Sequence, residues 1–212
     1  MDTKHQLERK RYISSALLSE LINIYQEKNM EIREPLALMN NSDGKLSGDE
    51  IKHSQKLFKD ITFIYKNIDN VDPEMVMYDV YSYEKAESGK EGDLLWGMTV
   101  LHPVTVNGEC NMTRGHWHLD RNCAEFYYGI TGNGLLMFMD DEGQCFCEKV
   151  YPGSLHYIDG KYAHRLINTG DEDMKVGACW PVKAGHNYEA TEKQPFNVRV
   201  FLRDGKVETE EL

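Results

Sequence analysis

Residues 113–125 read TRGHWHLDRNCAE, which puts two imidazoles one residue apart and a carboxylate seven residues after the second. In an extended strand, residues i and i+2 leave the same face about 7 Å apart, so His116 and His118 share one wall. Glu125 begins the next apolar run, and antiparallel pairing across the Asp120-Arg121-Asn122 turn is expected to bring it opposite them. A third histidine, His164, opens a later strand. Three imidazoles and one carboxylate form a mixed nitrogen and oxygen donor set suited to a borderline first-row divalent metal. A set of four that leaves coordination positions free belongs to catalysis or ligand binding, because structural zinc sites are closed and rich in cysteine. A single histidine on a strand is most often a surface hydrogen-bonding group, so the reading rests on the four residues together.

Such a wall needs strands to carry it. After Pro73 the chain becomes a series of short β-branched, aromatic and alternating runs: 75–84, 94–103, 125–132, 134–141, 145–153, 154–160, 164–171, 175–181 and 197–208. Turn clusters such as DDEG and NTGDED separate them, a pattern of many short strands in a sandwich or barrel. Before Pro73 the periodicity is helical. Residues 3–28 carry Ile13, Leu17, Leu21, Ile24 and Tyr25 on one face, behind a capping-box pair of Thr3 and Gln6. Ser47 and Glu50 repeat that start signal and predict a short amphipathic helix over roughly 48–58. Residues 85–93 form a charged hairpin connection.

The 212 residues suit one domain with an extension, and 41% hydrophobic and 28% charged content suits a packed core under a solvated surface. A formal charge of −11 repels phosphate backbones and anionic membranes, so neither nucleic acid nor membrane is an expected partner, while a small anionic metabolite is compatible. The N-terminal MDTKHQLERKRY lacks the apolar stretch of a secretory signal. Five cysteines without zinc-ribbon spacing read as reduced thiols of a cytoplasmic protein.

The offsets around the four donors match a known pattern. Gly132 lies seven residues after Glu125, Gly153 eleven before His164, and Asn168 four after it. These resemble the two signature motifs of the cupin superfamily, although Cys110 replaces the leading glycine of the first, and Asp159 and Lys161 replace the proline and glycine of the second. Within cupins, T-x-G-H-x-H-x6-E over 113–125, A-H-R at 163–165 and A-G-H-x-Y at 184–188 resemble the cupin-type glucose-6-phosphate isomerases. The strands MVMYDVY (75–81) and EGDLLWGMTVLHPVTVNGE (91–109) look like those preceding the metal motif there, and the likeness covers roughly residues 32–207.

The resemblance implies a mainly β protein, a cupin jelly-roll β-barrel with N-terminal helices, with residues 1–30 as a helical extension and 31–212 as the cupin domain. It implies one divalent metal per subunit, iron first with manganese, nickel and zinc as alternatives, held by His116, His118, Glu125 and His164. It also implies phosphate contacts from Thr99, Thr113 and the Gly115 backbone N–H, with Tyr78, Tyr127, Trp180, His186 and Tyr188 around the substrate, and a homodimer. Hydroxyls and backbone amides are what an acidic chain without a lysine cluster has for a phosphate. The implied reaction, a step of glycolysis and gluconeogenesis, moves a carbonyl between C1 and C2 of a sugar phosphate. It proceeds by proton transfer through an enediol or by hydride shift, with Glu125 and His186 as catalytic groups. The rival readings are an Fe(II) cupin oxygenase and a non-catalytic sugar-phosphate-binding cupin. Trp180 stands where the family carries tyrosine, and its indole N–H donates but cannot accept a proton.

Overall fold

The computed structural model describes residue 19 and residues 30–84 and 90–212. The chain divides into two compact units, Met1–Pro35 and Leu36–Leu212. Apart from residue 19, the helix expected over 3–28 lies outside the described residues, as does most of the 85–93 connection.

The second unit is built from β-strands. In chain order they are β1 (Leu38–Met39), β2 (Leu46–Ser47), β3 (Ile51–Leu57), β4 (Val76–Tyr83), β5 (Leu94–Leu101), β6 (Thr105–Val106), β7 (Glu109–Cys110) and β8 (Glu125–Thr131). There follow β9 (Gly134–Met139), β10 (Cys145–Val150), β11 (Leu155–Ile158), β12 (Ala163–Asn168) and β13 (Met174–Pro181), then helix α1 (Tyr188–Lys193), β14 (Val198–Arg203) and β15 (Lys206–Glu211). The largest sheet runs β11-β8-β13-β5-β4-β3, a second runs β10-β9-β12, a third β15-β14-β7-β6, and β1-β2 form a two-stranded ribbon. The described strands do not hydrogen-bond into one closed ring.

Two elements differ from expectation. Residues 51–57 are a strand, not a helix, paired antiparallel with β4 from Ile51↔Tyr83 to Leu57↔Val76. Pairing decides this, because the ladder to β4 satisfies a row of backbone groups that an isolated seven-residue helix would leave half-paired. The run predicted over 197–208 breaks at Asp204-Gly205 into the β14–β15 hairpin, Arg203↔Lys206 closing the turn. Helix α1, one and a half turns long, has no counterpart among the predicted elements; Asn187 caps it by accepting from the Ala190 N–H at 3.1 Å.

The main core lies between the six-stranded and three-stranded sheets. It joins Met77, Leu101, Met174 and Val176 of the first to Leu136, Met137, Phe138, Leu166 and Ile167 of the second. Methionine is prominent because its unbranched thioether fills irregular gaps between crossing strands. The opposite face of the large sheet carries a smaller cluster, Leu46, Met98 and Val100 with Trp96 and Ile130 against it. Strand β12 is buried at all six positions. It pairs with β9 along its length, and on its other edge with the segment 112–118 through Met112↔Ile167 and His116↔His164.

Candidate metal centre and cavity

The edge pairing of β12 assembles the donors. The His116 N–H donates to the His164 carbonyl at 3.2 Å, and the His164 N–H returns the bond at 3.1 Å. The ring centroids of His116 and His164 are 4.4 Å apart, those of His118 and His164 5.3 Å, and those of His116 and His118 5.8 Å. Glu125 arrives from the other sheet, paired with Ile158 of β11. The expected hairpin between the histidine segment and β8 therefore does not form; the carboxylate meets the imidazoles across the space between two sheets. One ligand atom from each of His116, His118, Glu125 and His164 lies within 4.8 Å of the others.

The donor chemistry fits a metal. The four residues are 9% exposed or less, and His116 Nε2 has no hydrogen-bond partner. Burial first, then the neighbouring imidazoles, hold the His116 pKa well below the usual histidine value, so the ring is neutral with a free lone pair, the form that ligates. The His118 Nδ1–H donates to the Cys123 carbonyl at 2.8 Å. That bond sets the tautomer and aims Nε2 at the cluster, where it lies 3.1 Å from Glu125 Oε1. His164 Nε2 lies 2.7 Å from the same oxygen, outside hydrogen-bond geometry. Burial raises the Glu125 pKa, yet the His164 and His118 rings outweigh it and hold the carboxyl at about 2.

A cavity of about 340 Å³ opens onto His116 and Glu125. Much of its wall is one face of the six-stranded sheet, produced by period-two alternation. Tyr78 and Val80 of β4, Thr99 of β5, Ala178 and Trp180 of β13, and Tyr127 of β8 all line it. Thr113 and Gly115 close it from the β12 side, and His186 and Tyr188 line it with stacked rings, centroids 5.6 Å apart, the His186 ring 4.3 Å from that of His116. Every site residue expected from the sequence is thus placed at the cluster or the cavity. The Thr113 hydroxyl accepts the Leu166 N–H at 3.0 Å. Burial drives the Tyr78 hydroxyl up to about 12, partly offset by the Arg114 backbone N–H bonded to its oxygen. Tyr127 is pushed well above the tyrosine range by burial and then by Glu125, so both phenols stay protonated donors. Burial lowers the His186 pKa, leaving that ring neutral at pH 7.

The sequence reading missed cationic and polar groups in this wall. Lys56 and Ser54 line the cavity from β3, and Arg114 lines it beside Gly115. The Ser54-x-Lys56 spacing puts both on one strand face, a signal hidden once 48–58 is read as helix. Gly115 has φ +77, and a methyl group there would stand 2.8 Å from the Phe196 ring and 3.1 Å from Arg165 Cβ, so both backbone and packing require glycine.

A family model described as "Glucose-6-phosphate isomerase (GPI)" matches residues 54–211. A protein of Thermococcus kodakarensis named glucose-6-phosphate isomerase is 34% identical over 187 residues, 84% of this chain and 95% of that protein. Proteins of the same name from Thermococcus litoralis and Pyrococcus horikoshii are 38% identical over 142 residues and 37% over 140. The first match covers 67% of this chain and 73% of the relative, the second 66% and 72%.

Proposed function

The chain belongs to the glucose-6-phosphate isomerase family, and from that premise we propose that it interconverts glucose 6-phosphate and fructose 6-phosphate in the cavity above His116 and Glu125. One observation carries the reading: the four converging donors and the cavity that opens onto two of them, His116 and Glu125, lie within the matched span 54–211.

His116, His118, Glu125 and His164 would hold one divalent ion, iron in our reading. When bound, such an ion supplies Lewis-acid stabilisation of charge on sugar oxygens. The rest is the work of side chains. Thr99, Thr113, Lys56 and the Gly115 N–H bind the phosphate; the positive charge at Lys56 supplies what hydroxyls alone would not. Tyr78 and Tyr127, held protonated by burial, donate to sugar oxygens and orient the open chain. Trp180 walls the cavity and excludes water. His186 beside His116 would take and return the hydroxyl proton when the ring opens, and Glu125, the carboxylate of the donor cluster, is the candidate to handle the C2 proton.

The two main sheets facing each other over one core support a cupin jelly-roll arrangement for residues 31–212, with 1–30 as an extension. The five unpaired cysteines support a reducing, cytoplasmic setting. The outer face of the β8–β11 edge supports a homodimer. Phe126, Tyr128, Leu155 and Tyr157 are 40–65% exposed there, in the paired register Leu155↔Tyr128 and Tyr157↔Phe126.

The test is a coupled assay with fructose 6-phosphate after chelation and separate reloading with iron, manganese, nickel and zinc. Activity should vanish on chelation and return with at least one ion, and His118→Ala should lose both metal content and turnover. Full metal occupancy and normal activity in that variant would refute the site.

A further inference from the structure

Position 165 follows a metal-centre histidine, but strand alternation sends its side chain out of the opposite face of β12. Arg165 is 7% exposed, its guanidinium packed 4.0 Å from the Phe196 ring centroid. Its five N–H donors find little: Nη2 donates to the Arg114 carbonyl at 2.9 Å, and Nη1 to the Met112 thioether, a weak acceptor, at 3.0 Å. Nε is buried without a partner. Among the described residues no carboxylate forms an ion pair with it. The buried Nε atoms of Arg114 and Arg199 are unpartnered as well.

These three arginines line one cavity of about 480 Å³, together with Phe63, Phe196 and Thr191. Arg114 pairs with Glu192, and Arg199 with Glu109 at 2.8 Å. Of the three guanidinium groups, Arg165 alone has no ion-paired side-chain carboxylate, and its positive charge is buried. Such a charge is strongly unfavourable unless an anion meets it. A guanidinium fork is also the group that recognises a planar or tetrahedral oxyanion with paired hydrogen bonds. The cavity is within the size range of small-molecule sites, larger than a free inorganic ion fills, and its aromatic walls offer contact to an apolar body.

We propose that this cavity is a second anion-binding site, distinct from the metal-centre cavity, for a small molecule carrying one phosphate or carboxylate on a compact apolar or flat body. Arg165 is its central ligand, with Arg114 and Arg199 flanking. Arg114 is the one residue that lines both cavities.

Calorimetric titration of the full chain with phenyl phosphate and with benzoate tests this, and the tighter of the two identifies the head group. Wild type should show a saturable binding event that Lys56→Met, altered at the phosphate groups of the other cavity, retains. Arg165→Met should weaken that event by about tenfold or more, the effect of losing a charge-assisted hydrogen-bond pair. Phe63→Ala, which removes an exposed aromatic wall of this cavity alone, should weaken it severalfold and decides the matter if Arg165→Met fails to fold. Failure of both anions to bind wild type would overturn the proposal. So would binding lost in Lys56→Met but kept in Arg165→Met and Phe63→Ala.

Discussion

Trp180 stands where the resemblance implies tyrosine, and the structure shows what makes room for it. Gly97 in β5 is buried with ordinary extended backbone, and a methyl group there would stand 2.9 Å from Trp180 Cη2 and 3.0 Å from Cζ3. Those atoms are the far edge of the indole, and tyrosine lacks both. Gly97→Ala therefore has two opposed consequences. Loss of unfolded-state freedom stabilises by about 0.4–1 kcal/mol, while forcing a rigid ring aside costs about 1–3 kcal/mol. The collision wins, and the net expectation is about 1–2 kcal/mol of destabilisation. In a Trp180→Tyr background the collision disappears and the same substitution should be neutral or stabilising by up to about 1 kcal/mol. The Tyr81 carbonyl, 3.3 Å from the same methyl, is common to both backgrounds and cancels. A double-mutant cycle by urea unfolding, with m unchanged, should return a coupling energy of about 1–3 kcal/mol. Gly97→Ala effects equal in the two backgrounds to within about 0.3 kcal/mol would refute the argument. Trp180→Tyr alone leaves a gap in the wall, so it should raise KM more than it changes kcat.

Three further outcomes are expected. Thr113→Val deprives the Leu166 N–H of its side-chain acceptor and the cavity of a hydroxyl; it should lower stability by about 1 kcal/mol and weaken fructose 6-phosphate affinity about 5–30-fold, and a wild-type KM would count against phosphate binding there. His102 bridges Asp173 and Asp79 at 2.9 Å each. Burial lowers its pKa, but the two carboxylates outweigh that and raise it above 6.5. The stability it contributes is therefore fully present below about pH 6.5 and lost as pH climbs through the higher native value. The stability difference between wild type and His102→Gln should shrink between about pH 6 and 9, and a difference independent of pH would show that His102 does not titrate with folding. Light scattering should give twice the 24.5 kDa chain mass, with Leu155→Lys plus Tyr157→Lys shifting it to one; a wild-type monomer at micromolar concentration would exclude the dimer.

Much of the centre was readable from local spacing. His116 and His118 share a wall because two-residue alternation is a property of a single strand, whatever the strand pairs with. What spacing does not specify is the partner of each strand. Glu125 was expected opposite the histidines across a short turn, yet the His116 segment pairs with β12 and Glu125 pairs with β11. Ser47 and Glu50 form a helix start signal ahead of residues 51–57, and only the ladder to β4 made those residues a strand, which is why Lys56 came to the cavity unannounced. The arginine cavity was hidden further still, since a chain of net charge −11 gives no hint that three guanidinium groups from distant segments converge. Backbone period and turn chemistry are local, and sequence declares them. Strand partners and buried charge clusters are settled by which apolar faces can be covered together, and that is a property of the assembled core.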